Sequence, residues 1–168
     1  VKQYSAKAVA NAFLEIAETE GAKIEPMKMQ KLVYIAHGWA LGLMNQPFIT
    51  EDIQAWKYGP VIQDLYHEFK RYGRDYIVHK ATNVSLDPKT LKIVEETPKL
   101  ANDDTDAQAL VRKVWEVYGK FSGPQLSNIT HMPDTPWDIT FNGEHQRVIS
   151  NDVIRDHYQQ LIQQRSQR

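Results

Sequence analysis

The sequence predicts a mainly α-helical fold: a single compact domain over residues 1–168, with about five or six helices and a small β element. Three observations carry this expectation. Apolar residues recur at three- and four-residue spacing through several separate stretches. Those stretches open on cap-forming residues or proline, and several close on glycine or asparagine. Only short runs, around residues 48–56 and 76–86, have the look of strands. A chain of 168 residues with 42% hydrophobic side chains has enough material for a real core. At that size folding removes roughly 70% of the surface an unfolded chain exposes.

The first helix is expected over residues 5–20, capped by Ser5 and stopped by Gly21. Ala6, Val9, Ala10, Phe13, Leu14 and Ala17 make its apolar stripe, and Lys7, Asn11, Glu15 and Thr19 are expected to face outward. The second helix starts at Pro26, a residue suited to the first helical position because it has no amide to leave unpaired. It runs through MKMQKLVYIAHGWALGLM (residues 27–44), apolar on nearly every side and therefore the most buried element. Gly38 and Gly42 each cost about 1 kcal/mol relative to alanine in a helix. Their four-residue spacing points to close approach by another backbone.

Residues 48–50 and 53–56 read as extended. Gly59 and Pro60 are expected to open a third helix that ends at Tyr72 and Gly73, with Ile62, Leu65, Phe69 and Tyr72 inward. Residues 75–102 are ambiguous. Residues 76–79 read as a strand; residues 82–86 either pair with it or give way at Asp87 and Pro88 to a short helix reaching Glu96. A capping box of Thr105 and Gln108 opens the fourth helix, and Ser122 with Gln125 opens a short helix over residues 124–131. The two prolines in MPDTPW (residues 132–137) predict a rigid non-helical turn anchored by Trp137. Residues 141–143 form a turn, and the last helix starts around residues 150–152.

Composition narrows the function. With no cysteine there is no disulfide, thiolate metal site or cysteine nucleophile, which suits a reducing, cytoplasmic setting. No apolar run reaches the ~18 residues of a membrane span, and VKQYSAKAVA lacks the uncharged core of a secretory signal. A net charge of −1 argues against a protein held on nucleic acid mainly by phosphate contacts. The six histidines, His37, His67, His79, His131, His145 and His157, form no HExxH or other ligand-spaced cluster, so no metal is expected. Ser122 and Ser127 lie outside any GxSxG elbow and read as helix-cap or early-helix residues. There is no Walker loop and no GxGxxG. Neither catalytic residues nor a cofactor are expected.

A protein partner fits better. Trp56, Tyr58, Tyr66, Tyr72, Arg71 and Arg74 lie close together in sequence, and aromatics with arginine dominate protein interfaces. The same stretch holds five cations, Lys57, Lys70, Arg71, Arg74 and Lys80, against Asp64, Glu68 and Asp75, too small an excess for a strong nucleic-acid face. The expected partner-binding set is Trp56, Lys57 and Tyr58 together with the outer face of the third helix, Gln63, His67, Lys70, Arg71 and Arg74.

KMQKLVYIAHGWAL, PFITEDIQAWKYGPVIQDLYHEFKRYG and LSNITHMPDTPW, in this order, resemble the SocA-like, Panacea-domain antitoxins, a family that includes phage-associated GepA-like proteins. The likeness covers roughly residues 4–137. Its most specific parts are the AWKYGPV block (residues 55–61) and the pairing of Gln30, Lys31 and Leu32 with Leu126, Ser127, Pro136 and Trp137. Family-like positions are Gln30, Lys31, Trp56, Tyr58, Gly59, Pro60, Tyr66, Pro136 and Trp137, with Gly59, Pro60 and Pro136 as fold determinants. The resemblance implies a helical domain that neutralises a cognate toxin by direct binding. Its implied alternatives are an adaptor that delivers the toxin to an ATP-dependent Clp protease, or a small phage-associated DNA-binding regulator. It leaves the oligomeric state open.

Overall fold

The structure, a computed structural model, describes residues 2–143 and 147–168; His145 lies outside them. The described residues form α1 (Ala6–Thr19), α2 (Pro26–Met44), β1 (Ile53–Trp56), β2 (Gly59–Val61), α3 (Gln63–Phe69), β3 (Asn83–Leu86), β4 (Ile93–Glu96), α4 (Thr105–Tyr118), α5 (Gly123–Thr130), α6 (Pro136–Thr140), β5 (Arg147–Ile149) and α7 (Asn151–Ser166). The protein is mainly α with a small β element; its described residues form seven α-helices where about five or six are expected, the short α6 being additional.

An all-round apolar helix has to be enclosed, and α2 is. Every residue from Lys28 to Leu41 is buried, under α1, α3, α4, α5, α7 and β2. The two glycines of α2 admit α7. A Cβ on Gly38 would stand 2.1 Å from the Tyr158 ring, and one on Gly42 would meet the Tyr158 Cβ at 2.7 Å and its backbone carbon at 3.2 Å. The Tyr158 ring then packs edge-on against Trp39, at 5.0 Å between centroids. His37 ties this region together. Its Nδ1 accepts from the Phe48 and Ile49 amides at 3.2 Å each, and its Nε2 donates to Asn151 Oδ1 at 2.8 Å. Two donors on Nδ1 fix the neutral tautomer with the proton on Nε2.

α1 is capped by Ser5, which accepts from the Ala8 amide, and ends on Gly21 at φ 66°. Asn11 corrects the expected outward face, because it is buried. Its amide donates to the Ala81 and Pro98 carbonyls, and the Ala81 amide donates back to it. A periodic stripe cannot show that a later loop will cover the polar side of a helix.

The sheet order is β2-β1-β5, antiparallel throughout. Gly59 and Pro60 therefore do not start a helix; they form β2, and α3 begins at Gln63. Proline lacks an amide, so it suits an edge strand as well as a helix start. Gly59 leaves the Lys57–Tyr58 turn at φ 109°, which only glycine takes easily. A 3₁₀ turn, Lys70–Tyr72, extends α3 to Gly73, the expected stop.

Residues 76–79 are not a strand. The Ile77 amide makes one isolated backbone bond, to the Ile24 carbonyl at 2.9 Å. β3 pairs with β4 instead, so the helix from Asp87 towards Glu96 does not form. The α4 cap is Asp104, one residue before the expected Thr105, and Gln108 donates to the Ala101 and Asn102 carbonyls. Asp104 wins because it also accepts from the Lys2 amide and the Tyr4 hydroxyl. The Ser122–Gln125 capping box of α5 is present as expected. The segment at residues 132–137 is not wholly non-helical: Thr135 caps α6, and Pro136 takes its first position.

Candidate partner-binding site

Four side chains, drawn from three helices, hold the β1–β2 hairpin by every second carbonyl from Trp56 to Ile62. The Trp137 indole of α6 donates to the Trp56 carbonyl at 2.6 Å. The Ser127 hydroxyl of α5 donates to the Tyr58 carbonyl at 2.7 Å. From α2, the Lys31 ammonium donates to the Pro60 carbonyl at 2.8 Å. Gln30 donates to the Ile62 carbonyl at 3.0 Å and accepts from the Ile62 amide at 2.8 Å. All four side chains are buried. Buried backbone groups need partners; here the partners are side chains, so the hairpin is fixed to the helices and not only to its own ladder. Gly59 leaves space for the clamp, since a Cβ there would lie 2.9 Å from Lys31 Nζ.

The clamp leaves the hairpin tip outward. Tyr58 is 64% exposed, with the Lys57 ammonium 5.5 Å from its ring centre. Trp56 is half-buried. Its indole N–H donates to Gln54 Oε1 at 2.9 Å, and its ring lies 4.9 Å from that of Tyr66. Between the hairpin and α3 runs a groove of about 480 Å³. Val61, Leu65 and the buried Gln30 and Lys31 form its floor, Trp56 and Tyr66 a wall, and exposed Lys57 and Lys70 its rim. No carboxylate is among its described lining residues. Burial alone pulls the Lys31 ammonium down to about 7.

The structure divides the expected set. Trp56, Lys57, Tyr58 and Lys70 come together at the groove. His67, Lys70 and Arg71 line a second, polar cleft of about 830 Å³ between α3 and the β3–β4 arm, so Lys70 borders both. Gln63 and Arg74 line neither. The second cleft is partly neutralised, because Lys7 pairs with Glu68 at 3.2 Å and Lys80 with Glu15 at 2.6 Å. Gln30 and Lys31 were absent from the expected set. The available signal was two adjacent polar residues inside an otherwise apolar helix.

The β3–β4 arm projects. Val84, Leu86 and Ile93 share one of its faces by register, and all are exposed. Its base is fixed by Asn11 and by Lys7 and Glu68, which bind the Thr82 carbonyl and amide. Among the described residues no group of three or more His, Asp or Glu is placed to hold a metal ion, and no helix is long and apolar enough to cross a membrane.

Residues 29–138 match the family described as "Antitoxin SocA-like, Panacea domain". Among curated proteins, Antitoxin SocA of Caulobacter vibrioides (strain NA1000 / CB15N) is 31% identical over 158 residues, covering 91% of this chain and 81% of the relative. No solved structure matches the chain. The family match spans Gln30, Lys31, Ser127 and Trp137 as well as the hairpin they hold, and the chain belongs to the SocA-like, Panacea-domain antitoxins.

Proposed function

We propose that the chain neutralises a cognate toxin by binding it directly, with the hairpin tip and the adjoining groove as the contact. The observation that supports this most is the clamp. Four buried donors hold a two-residue turn so that Trp56, Lys57 and Tyr58 stand at an apolar, cation-rimmed groove. An aromatic that is already ordered loses little freedom on binding, and pre-organised aromatic anchors dominate interface energies. The mechanism is stoichiometric masking, with no bond made or broken on this protein.

The test is co-expression with the product of the adjacent open reading frame. Wild-type chain should restore growth and co-purify with that product. Tyr58→Ala combined with Trp56→Ala should lose both effects while keeping the helical circular dichroism signal. Full rescue by the double variant would remove this surface.

A second reading, delivery of the toxin to an ATP-dependent Clp protease, requires two contact faces. The projecting β3–β4 arm, away from the groove lining and with Val84, Leu86 and Ile93 exposed, offers the second. Under that reading toxin disappears only in cells that contain the protease, and Leu86→Ser with Ile93→Ser preserves toxin binding but stops the loss. Masking alone gives a stable complex without the protease.

A further inference from the structure

We propose that the groove recognises a carboxylate on the toxin polypeptide, an internal Asp or Glu next to a large apolar side chain, and that Lys31 reads it. This rests on the groove being the toxin contact. Charge complementarity carries the proposal. Three lysines, Lys31 in the floor and Lys57 and Lys70 at the rim, border the groove, and no carboxylate is among its described lining residues. The remaining surface, Val61, Leu65, Trp56 and Tyr66, suits a large apolar side chain. The partner should therefore combine both properties within a short segment.

Lys31 makes the case specific. It is 2% exposed, and an ammonium has three N–H donors, of which one is spent on the Pro60 carbonyl. Buried charges in folded proteins are generally paired with an opposite charge. Among the salt bridges of the described residues Lys31 has none. A hydroxyl or amide could hold Pro60 at lower desolvation cost. A lysine at that place adds the capacity to form an ion pair, and an incoming carboxylate from the groove side would complete it. Lys57 and Lys70, both exposed, would raise the encounter rate with an acidic segment more than its final affinity.

The experiment is an NMR titration of the ¹⁵N-labelled full chain with three probe pentapeptides, all N-acetylated. The first is Gly-Leu-Phe-Glu-Gly amide, the second has Gln in place of Glu, and the third is the Gln peptide with a free C-terminal carboxylate. The Glu peptide should shift the Trp56 indole N–H and the amides of Lys57, Tyr58, Gly59 and Val61, and should bind about tenfold or more tightly than the Gln amide. In Lys31→Met, which keeps an unbranched apolar stem, that ratio should fall to about one. The wild-type comparison stands even if Lys31→Met fails to fold. No shift from the Glu peptide, equal binding of Glu and Gln amides, a ratio unchanged in a folded Lys31→Met, or binding of the free-acid peptide alone would each overturn the proposal. If Glu and Gln peptides bind alike while Tyr58→Ala with Trp56→Ala still loses the toxin, the groove contact stands and only the carboxylate claim falls. If the double variant retains the toxin, both fall.

Discussion

The Trp137 indole reaches the Trp56 carbonyl across 81 positions of sequence, at 2.6 Å. It ties α6, near the end of the family match, to the strand that leads into the hairpin tip. The same indole ring stacks on Phe141 at 4.6 Å and meets His131 edge-on at 5.3 Å. The hydrogen bond and the ring packing can thus be separated by substitution.

Gln30→Leu should destabilise the fold by about 1–3 kcal/mol. It leaves the buried amide of Ile62 without its partner, at about 1–3 kcal/mol, while the Ile62 carbonyl still accepts from the Tyr66 amide at 3.0 Å. Urea denaturation followed by circular dichroism measures this. A change below about 0.5 kcal/mol, the range of ordinary surface substitutions, would mean that water or the ladder can replace Gln30.

Gly38→Ala should destabilise the protein by about 1–3 kcal/mol even though alanine gains about 1 kcal/mol in helix propensity. The added methyl would occupy the place of the Tyr158 ring. Gly38→Ala combined with Tyr158→Leu should cost less than the sum of the two single changes, because the smaller side chain vacates that space. Strict additivity in thermal or urea denaturation would argue against this contact.

These two positions show what could be read in the sequence. The glycine spacing of α2 announced a close neighbour, and periodicity with caps placed α1, α2, α5 and α7. The hairpin was read as a helix start because Gly59 and Pro60 satisfy both patterns locally. Their pairing with β1, and the α2 and α5 side chains that hold the carbonyls of Tyr58, Pro60 and Ile62, place them in a strand instead. Asn11 looked outward because the residues that cover it, Ala81 and Pro98, lie in the segment with the weakest periodic signal. Trp56, Lys57, Tyr58 and Lys70, which line one groove, stand out in the sequence by aromatic and basic clustering. Gln30, Lys31, Ser127 and Trp137 stand out in the sequence as family-like positions, but their hydrogen bonds run to backbone atoms that carry no side-chain signature.

Stability should fall on acidification below about pH 6.5, partly through His37. Burial lowers its affinity for a proton from the ordinary 6.5, and its Nδ1 already accepts two amides. Below that pH the unfolded chain takes up the proton and the folded one resists, so folding loses free energy as pH drops. His37→Gln should flatten the acid limb of a stability-versus-pH curve measured by urea denaturation, whatever it costs at neutral pH. An unchanged limb would exclude His37 as a contributor.

On the alkaline side Lys31 acts with the same sign, in a higher pH window. Its ammonium is brought down to about 7 from 10.5 by burial. Below about 7 both states are charged and the full desolvation cost is present. Between the two values the unfolded chain holds the extra proton, so stability rises with pH by up to about 1.4 kcal/mol per unit. Burial also pushes Tyr34 and Tyr158 above their ordinary 10.0, which reverses the trend near pH 10. Urea denaturation at pH 7 and 9 should show the rise in wild type and its loss in Lys31→Met. A flat wild-type curve would place the Lys31 titration elsewhere.

Within the expected partner-binding set, groove residues should matter more than Arg74. Tyr58→Ala should weaken toxin binding by about 2 kcal/mol or more, the scale of an interface anchor, and Arg74→Ala by less than about 0.5 kcal/mol. Isothermal titration with the purified toxin distinguishes them, and the reverse order would move the contact to the outer face of α3.

The most direct measurement is the toxin affinity of Trp137→Phe at a temperature where the variant is fully folded. Phenylalanine keeps an aromatic ring beside Phe141 and His131 and removes the N–H that holds the Trp56 carbonyl together with part of the buried ring volume. If the clamp pre-organises the hairpin for its partner, affinity should drop about tenfold, mainly through faster dissociation. Wild-type affinity and dissociation rate in a folded Trp137→Phe would contradict it.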